Sequence, residues 1–163
     1  MEIQLSEIEQ MLALTMANRR FVENRQRTNR DNDVQTMHHY QMEIEGAGGE
    51  LAAAKFFKVF PSLDNGCRKG GCDLVTRSKV RVEVKTTVHK RGKILVNNWK
   101  EVEDSDIVVL VTGTMPNYTV AGWAYTHEVM REENRKPQKQ YLAYEWLHDD
   151  LHPMSEAPVV DND

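Results

Sequence analysis

The chain has 163 residues, enough to bury one good core and too few for two comfortable domains of roughly 100 to 200 residues each. Hydrophobic residues make up 40% of it and charged residues 28%, and the apolar residues fall in short separated runs, as in a soluble globular domain. A formal net charge of −4 counts against a surface that binds nucleic acid all over, and no run approaches the roughly 20 apolar residues of a membrane span. The opening MEIQLSEIEQ lacks the charged and apolar regions of a secretory signal, so the expectation is a cytoplasmic protein with no membrane partner.

Over residues 5 to about 27, Leu5, Ile8, Leu12, Met16 and Phe21 recur at helical spacing, and Ser6 followed by Glu9 makes a capping box. This predicts a long amphipathic helix that breaks in Asn/Asp turn chemistry near Asp31 and Asp33. A second helix is predicted over residues 34–59, closed by Pro61 and interrupted at GAGGE. There Gly46, Gly48 and Gly49 each weaken a continuous helix by about 1 kcal/mol relative to alanine, so a kink or new start is expected. The stretch SLDNGCRKGG is loop by composition.

The period then changes to two. Val80, Val82 and Val84 alternate with Arg81, Glu83 and Lys85, which predicts a strand with one apolar face, preceded by a shorter strand over residues 73–76 and a connection around Ser78. Further strands are predicted over 94–96, 107–112, 118–125 and 141–146. The β-branched run DIVVLVTG suits a strand buried on both faces. Residues 126–132 fit a short helix capped by Thr126, and SEAPVVDND a disordered acidic tail. Helices, then a strand-rich centre, then a helix and a strand indicate an α/β fold on a mixed sheet.

Charge is distributed unevenly. Between Cys67 and Lys100 the cations Arg68, Lys69, Arg77, Lys79, Arg81, Lys85, Lys90, Arg91, Lys93 and Lys100 surround only two acids, Asp73 and Glu83. Glu83 and Lys85, two apart on a strand, project from the same face. A three-residue connection centred on Ser78 pairs Thr76 with Val80 and sets Asp73 opposite Glu83, with Cβ atoms roughly 5 Å apart; an even-length connection sends Asp73 to the other face. Two carboxylates so close repel and favour a shared proton unless a cation joins them. Mg²⁺, with Mn²⁺ as its usual substitute, suits Asp73, Glu83 and the backbone carbonyl of Val84, because it takes hard oxygen ligands from one or two carboxylates and keeps several waters. Lys85 could then orient or deprotonate water, or neutralise developing charge, in phosphodiester hydrolysis.

An acid ending one strand followed by Glu-x-Lys on the next resembles the signature of the PD-(D/E)XK nuclease superfamily, which includes restriction endonucleases, archaeal-type Holliday junction resolvases and phage exonucleases. Cys72 stands where the family usually has proline. GAGGELAAAKFF resembles the helix that carries a further acid in many members and nominates Glu50 as a metal or water ligand. Thr86 sits where members often have Ser or Thr, and YTVAGWAYTHEVM is similar to a strand and short helix of several phage-encoded members. The resemblance covers roughly residues 46–151. It implies a restriction-endonuclease-like core over residues 34–152, a four- or five-stranded mixed sheet flanked by helices, behind a helical extension over 1–33 and before a tail over 153–163. It further implies a magnesium-dependent deoxyribonuclease, with Glu50, Asp73, Glu83 and Lys85 catalytic, acting on DNA in a bacterial or phage-infected cell.

Each feature has an ordinary alternative. Charges alternating with valine on a sheet are commonly a solvated salt-bridge patch, and an acid in a helix's first turn is expected from the helix dipole. His89, Lys90 and Arg91, with Lys79 and Arg81, could track a phosphate backbone or form solvated turns. Trp99, Trp123 and Trp146 could stack on unpaired bases, but their strand context favours core or subunit packing. Cys67 and Cys72 in CRKGGC would need two further ligands to hold zinc, which adjacent His38 and His39 do not supply. The expected homodimer would pair through the amino-terminal helix, and the competing function is a catalytically silent DNA- or protein-binding regulator on the nuclease fold.

Overall fold

The computed structural model describes residues 1–28, 36–61, 63, 71–138 and 141–158. The expected break near Asp31 and Asp33, Cys67, Arg68, Lys69, most of the loop before Gly71 and the last residues of the acidic tail lie outside the described residues. In chain order the elements are β1 (Glu2–Gln4), α1 (Glu7–Thr28), α2 (Thr36–Phe56), β2 (Leu74–Val75), β3 (Arg81–Thr87), β4 (Ile94–Asn97), β5 (Ile107–Thr114), β6 (Asn117–Tyr125), α3 (Thr126–Val129), β7 (Arg135–Pro137) and β8 (Leu142–Trp146). Among the described residues, a mixed sheet of five strands runs in the order β1-β6-β5-β3-β2, and a smaller antiparallel sheet in the order β4-β8-β7. The β3–β5 pair is parallel and the others in the large sheet are antiparallel. No described helix is long and apolar enough to cross a membrane.

The near-continuous apolar run of β5 follows from cover on both faces. Ile107, Val109 and Val111 join Val82, Val84 and Val120 under α1 and α2, while Val108 and Leu110 join Ile94, Val96, Ala124 and Val129 beneath the smaller sheet. The predicted capping box is present: the Ser6 N–H donates to Glu9 Oε2 at 2.6 Å and the Glu9 N–H to Ser6 Oγ at 3.4 Å.

Three expectations about the helices are corrected. The buried stripe of α1 is Ala13, Met16 and Ala17, whereas Ile8 is exposed. Ala13 and Ala17 share the seam with Met16, Leu12 packs beside it and Phe21 packs on Tyr40, so of the predicted stripe only Ile8 is exposed. α2 runs through GAGGE as one helix, with no new start there. A Cβ on Gly48 would lie 2.1 Å from Tyr118 Oη and one on Gly49 2.0 Å from Thr86 Oγ1, so these glycines are where the helix backbone touches the sheet. The cost in helix propensity is offset by that close approach. Thr126 is likewise not a cap: Tyr125 holds the N-cap position, and Thr126 Oγ1 hydrogen-bonds Ser105 Oγ at 2.9 Å.

Candidate active site

The connection between β2 and β3 fixes the site. The Thr76 N–H donates to the Val80 carbonyl at 3.0 Å, the Lys79 N–H to the Thr76 carbonyl at 3.0 Å, and Lys79 has φ of 67°. This is the three-residue hairpin loop ending in a left-handed residue. It gives the pairs Leu74 with Val82 and Val75 with Arg81, so Asp73 is the next position, opposite Glu83. Pairing stops there, because β2 is two residues long and β3 is seven. Beyond Val82 the outer edge of β3 is open, and Asp73 Oδ2 accepts the Val84 N–H at 2.7 Å. Since the N–H and C=O of one strand residue face the same side, the Val84 carbonyl also faces this edge.

Glu83 is buried, with one oxygen accepting from Lys85 Nζ at 2.6 Å and the other from Lys100 Nζ at 2.9 Å. Lys100 also donates to the Gly71 carbonyl at 2.8 Å. Glu50, within two turns of the carboxy-terminal end of α2, accepts from Arg20 of α1 through both oxygens, at 2.7 and 2.6 Å. The charges govern each other. Burial, with Glu50 and Glu83 nearby, pushes the Asp73 carboxyl up to about 8. Burial would also raise Glu83, but Lys85 and Lys100 hold it below the usual carboxylate range. Burial alone would lower Lys85; Glu83 and Asp73 outweigh it and keep the ammonium charged.

Three carboxylates and three cations therefore meet where β2 leaves β3. The donors suited to a hard divalent cation are the Asp73 and Glu83 carboxylates and the Val84 carbonyl, a set of the kind Mg²⁺ accepts. Burial first, and then the negative charge of Glu50 and Glu83, favours a proton on Asp73, and a cation bound there would relieve both. As positioned, both oxygens of Glu83 and of Glu50 are taken by cations, and among the described residues no group of three or more His, Cys, Asp or Glu is arranged to hold a metal.

The remaining sequence candidates divide. Thr86 Oγ1 lies under α2 at Gly49, on the face opposite Lys85. Arg81 pairs with Asp106 at 2.7 Å and, with Lys79, lies at the start of β3. His89, Lys90 and Arg91 follow its far end, roughly 20 Å away at 3.3 Å per residue, so the two groups do not form one cluster. His89 and Arg91, with Lys85, Thr87, Lys93, Leu95, Leu147 and His148, line a groove of about 520 Å³ that opens beside the candidate lysine. Arg91 pairs with Asp149 and Lys93 with Glu145 on its rim. Trp123 is buried in the main core, as its strand context suggests, but Trp99 beside Lys100 is 44% exposed.

Sequence reasoning missed Arg20 and the role of Lys100. Arg20 continues the buried spacing of Ala13, Met16 and Ala17, a signal that alanine positions would have revealed and large apolar positions did not. Lys100 stands out from the other cations of the basic segment only through tertiary placement. No protein-family model matches the chain, and no curated protein matches it.

Proposed function

We propose that the protein is a magnesium-dependent deoxyribonuclease of the PD-(D/E)XK type on a restriction-endonuclease-like core, hydrolysing phosphodiester bonds with Asp73, Glu83, Lys85 and Glu50. The observation that carries this reading is the meeting of these four residues at the open edge of β3, with Asp73 bonded to the Val84 N–H. Asp73, Glu83 and the Val84 carbonyl would hold the ion. Mg²⁺ supplies Lewis acidity that makes water a competent nucleophile and stabilises charge on the phosphate. Lys85, whose Nζ lies 2.6 Å from Glu83 Oε1, orients or deprotonates the water or donates to the developing phosphate charge. The water oxygen forms a bond to phosphorus, the bond to the leaving deoxyribose oxygen breaks, and the proton that water gives up ends on that oxygen.

The groove that runs from Lys85 past His89, Arg91 and Lys93 is the path assigned to the nucleic acid. Its exposed ion pairs are weak enough for a phosphate backbone to displace Asp149 and Glu145. Cutting both strands of a duplex calls for two sites, so a homodimer belongs to this reading. The outward face of α1, with Ile8, Met11 and Val22 exposed, is its surface. Sedimentation as a monomer at assay concentration removes the dimer.

The test is cleavage of linear, circular, branched and single-stranded DNA with Mg²⁺ or Mn²⁺. Lys85→Ala and Asp73→Asn are each expected to reduce cleavage by about a hundredfold or more. The complete ion pairing of Glu50 and Glu83 favours one competitor, a silent nuclease-fold protein that binds DNA or another protein. Wild type that binds DNA and cuts none of the panel establishes that competitor.

A further inference from the structure

α1 lies outside the segment that resembles a nuclease, yet it supplies the group that grips Glu50. Arg20 Nη1 and Nη2 each donate to a different Glu50 oxygen, at 2.7 and 2.6 Å, and the two side chains are only 12% and 10% exposed. Such a parallel fork fixes the plane and rotation of a carboxylate as a single hydrogen bond does not. The helix is itself held in register on either side of this contact. Lys55 of α2 bonds Glu9 at 2.8 Å, Asn24 bonds Glu43 at 3.0 Å, and Phe21 packs edge-on against Tyr40 with ring centroids 5.1 Å apart. Arg20 is thus delivered by a rigid element to a carboxylate at the site.

We propose that Arg20 is a positioning residue of the active site: its fork on Glu50 sets the carboxylate that orients the attacking water, so the amino-terminal helix is a working part of the nuclease. The proposal rests on the nuclease reading and extends it to a residue outside the signature. A carboxylate held in one plane by the fork orients water from a fixed position, while Asp73 and Glu83 supply the ligands to the ion. Loss of the fork therefore affects the rate more than the affinity for metal, since a misplacement of about 1 Å costs on the order of a hundredfold in rate.

The test uses the full chain and reads two quantities, Mn²⁺ binding by titration calorimetry and the single-turnover cleavage rate at saturating Mn²⁺. Arg20→Lys keeps the charge and loses the fork. It is expected to fold, to bind Mn²⁺ within about threefold of wild type, and to cleave about tenfold more slowly, with Arg20→Ala slower still. Asn24→Ala breaks the neighbouring tie between the helices and is expected to leave the rate unchanged. In a Glu50→Gln background Arg20→Lys is expected to add less than about twofold, because the two residues act as one unit. A general loss of helix packing would slow Asn24→Ala as well and would add its full effect in the Glu50→Gln background. Either result, or Arg20→Lys cutting at the wild-type rate, overturns the role of Arg20 and leaves the nuclease standing. Wild type that neither binds Mn²⁺ nor cuts any DNA overturns both.

Discussion

Asp73 carries the largest electrostatic burden among the site residues. It hydrogen-bonds the backbone at Val84 and lies in the field of Glu50 and Glu83, and burial with those charges moves its carboxyl from the ordinary 3.8 to about 8. The folded protein therefore holds a proton that the unfolded chain has already released. The stability tied to that proton is full below about pH 4 and is lost as pH rises through about 8. In the presence of a chelator, the melting temperature of wild type relative to Asp73→Asn is expected to fall between about pH 4 and 8 and to level off above. Added Mg²⁺ is expected to raise it most at the alkaline end. A constant difference between the two proteins across that range would contradict the charge assignment. The same substitution is expected to stabilise the protein at high pH while removing cleavage, the trade-off of a site built from mutually repelling groups.

At the scale of elements, the site depends on how α2 lies on β3. Glu50 stands next to Gly49, and the space at Gly49 is filled by Thr86, whose Oγ1, Cγ2 and Cβ would lie 2.0, 2.8 and 2.9 Å from an added Cβ. With the Thr86 Cβ itself that close, no rotamer change relieves the contact. Gly49→Ala is expected to force the helix off the strand and to cost about 1 to 3 kcal/mol of stability, read by denaturant unfolding. Cleavage is expected to fall further than stability alone explains, because the helix carries Glu50 with it. Gly46→Ala is the control: a Cβ there meets nothing within 4 Å, so it is expected to be neutral or slightly stabilising. The hairpin gives the matching lesson for β2 and β3. Its three-residue loop was favoured by the sequence, since Arg77-Ser78-Lys79 offers no pair suited to a two-residue turn. The structure has that register, with Lys79 taking the left-handed conformation.

At the scale of the whole molecule, the helix expected as an extension over residues 1–33 shares a buried core with the sheet. Leu5, Ala13, Met16 and Ala17 belong to the same buried cluster as Val82, Val109 and Tyr118, and β1 pairs with β6 at the edge of the main sheet. Deleting residues 1–28 is expected to abolish cooperative unfolding and the near-ultraviolet circular dichroism of the packed aromatics. A truncated chain that melts cooperatively would show the helix to be peripheral after all. The smaller sheet extends the same principle on the other face, where β4 and β8 bury Ile94, Val96 and Ala143 and carry the walls of the groove beside Lys85.

The sequence by itself determined the features that depend on neighbours along the chain. These are the valine alternation of β3, the doubly buried run of β5, the capping box of α1, and the shared face of Glu83 and Lys85, whereas the register that sets Asp73 opposite Glu83 was one of two the sequence allowed. Each of the local features follows from a local period or turn, and local periods can be read from residues alone. Tertiary structure decided what depends on surfaces meeting. The glycines of GAGGE, read along the chain, are helix-weakening residues, and only the presence of Tyr118 and Thr86 beneath them makes them contact points. Arg20 reaches Glu50 and Lys100 reaches Glu83 across 30 and 17 residues of chain. No periodicity encodes such contacts, because they are fixed by how α1 lies on α2 and how the segment after β4 folds back over β3.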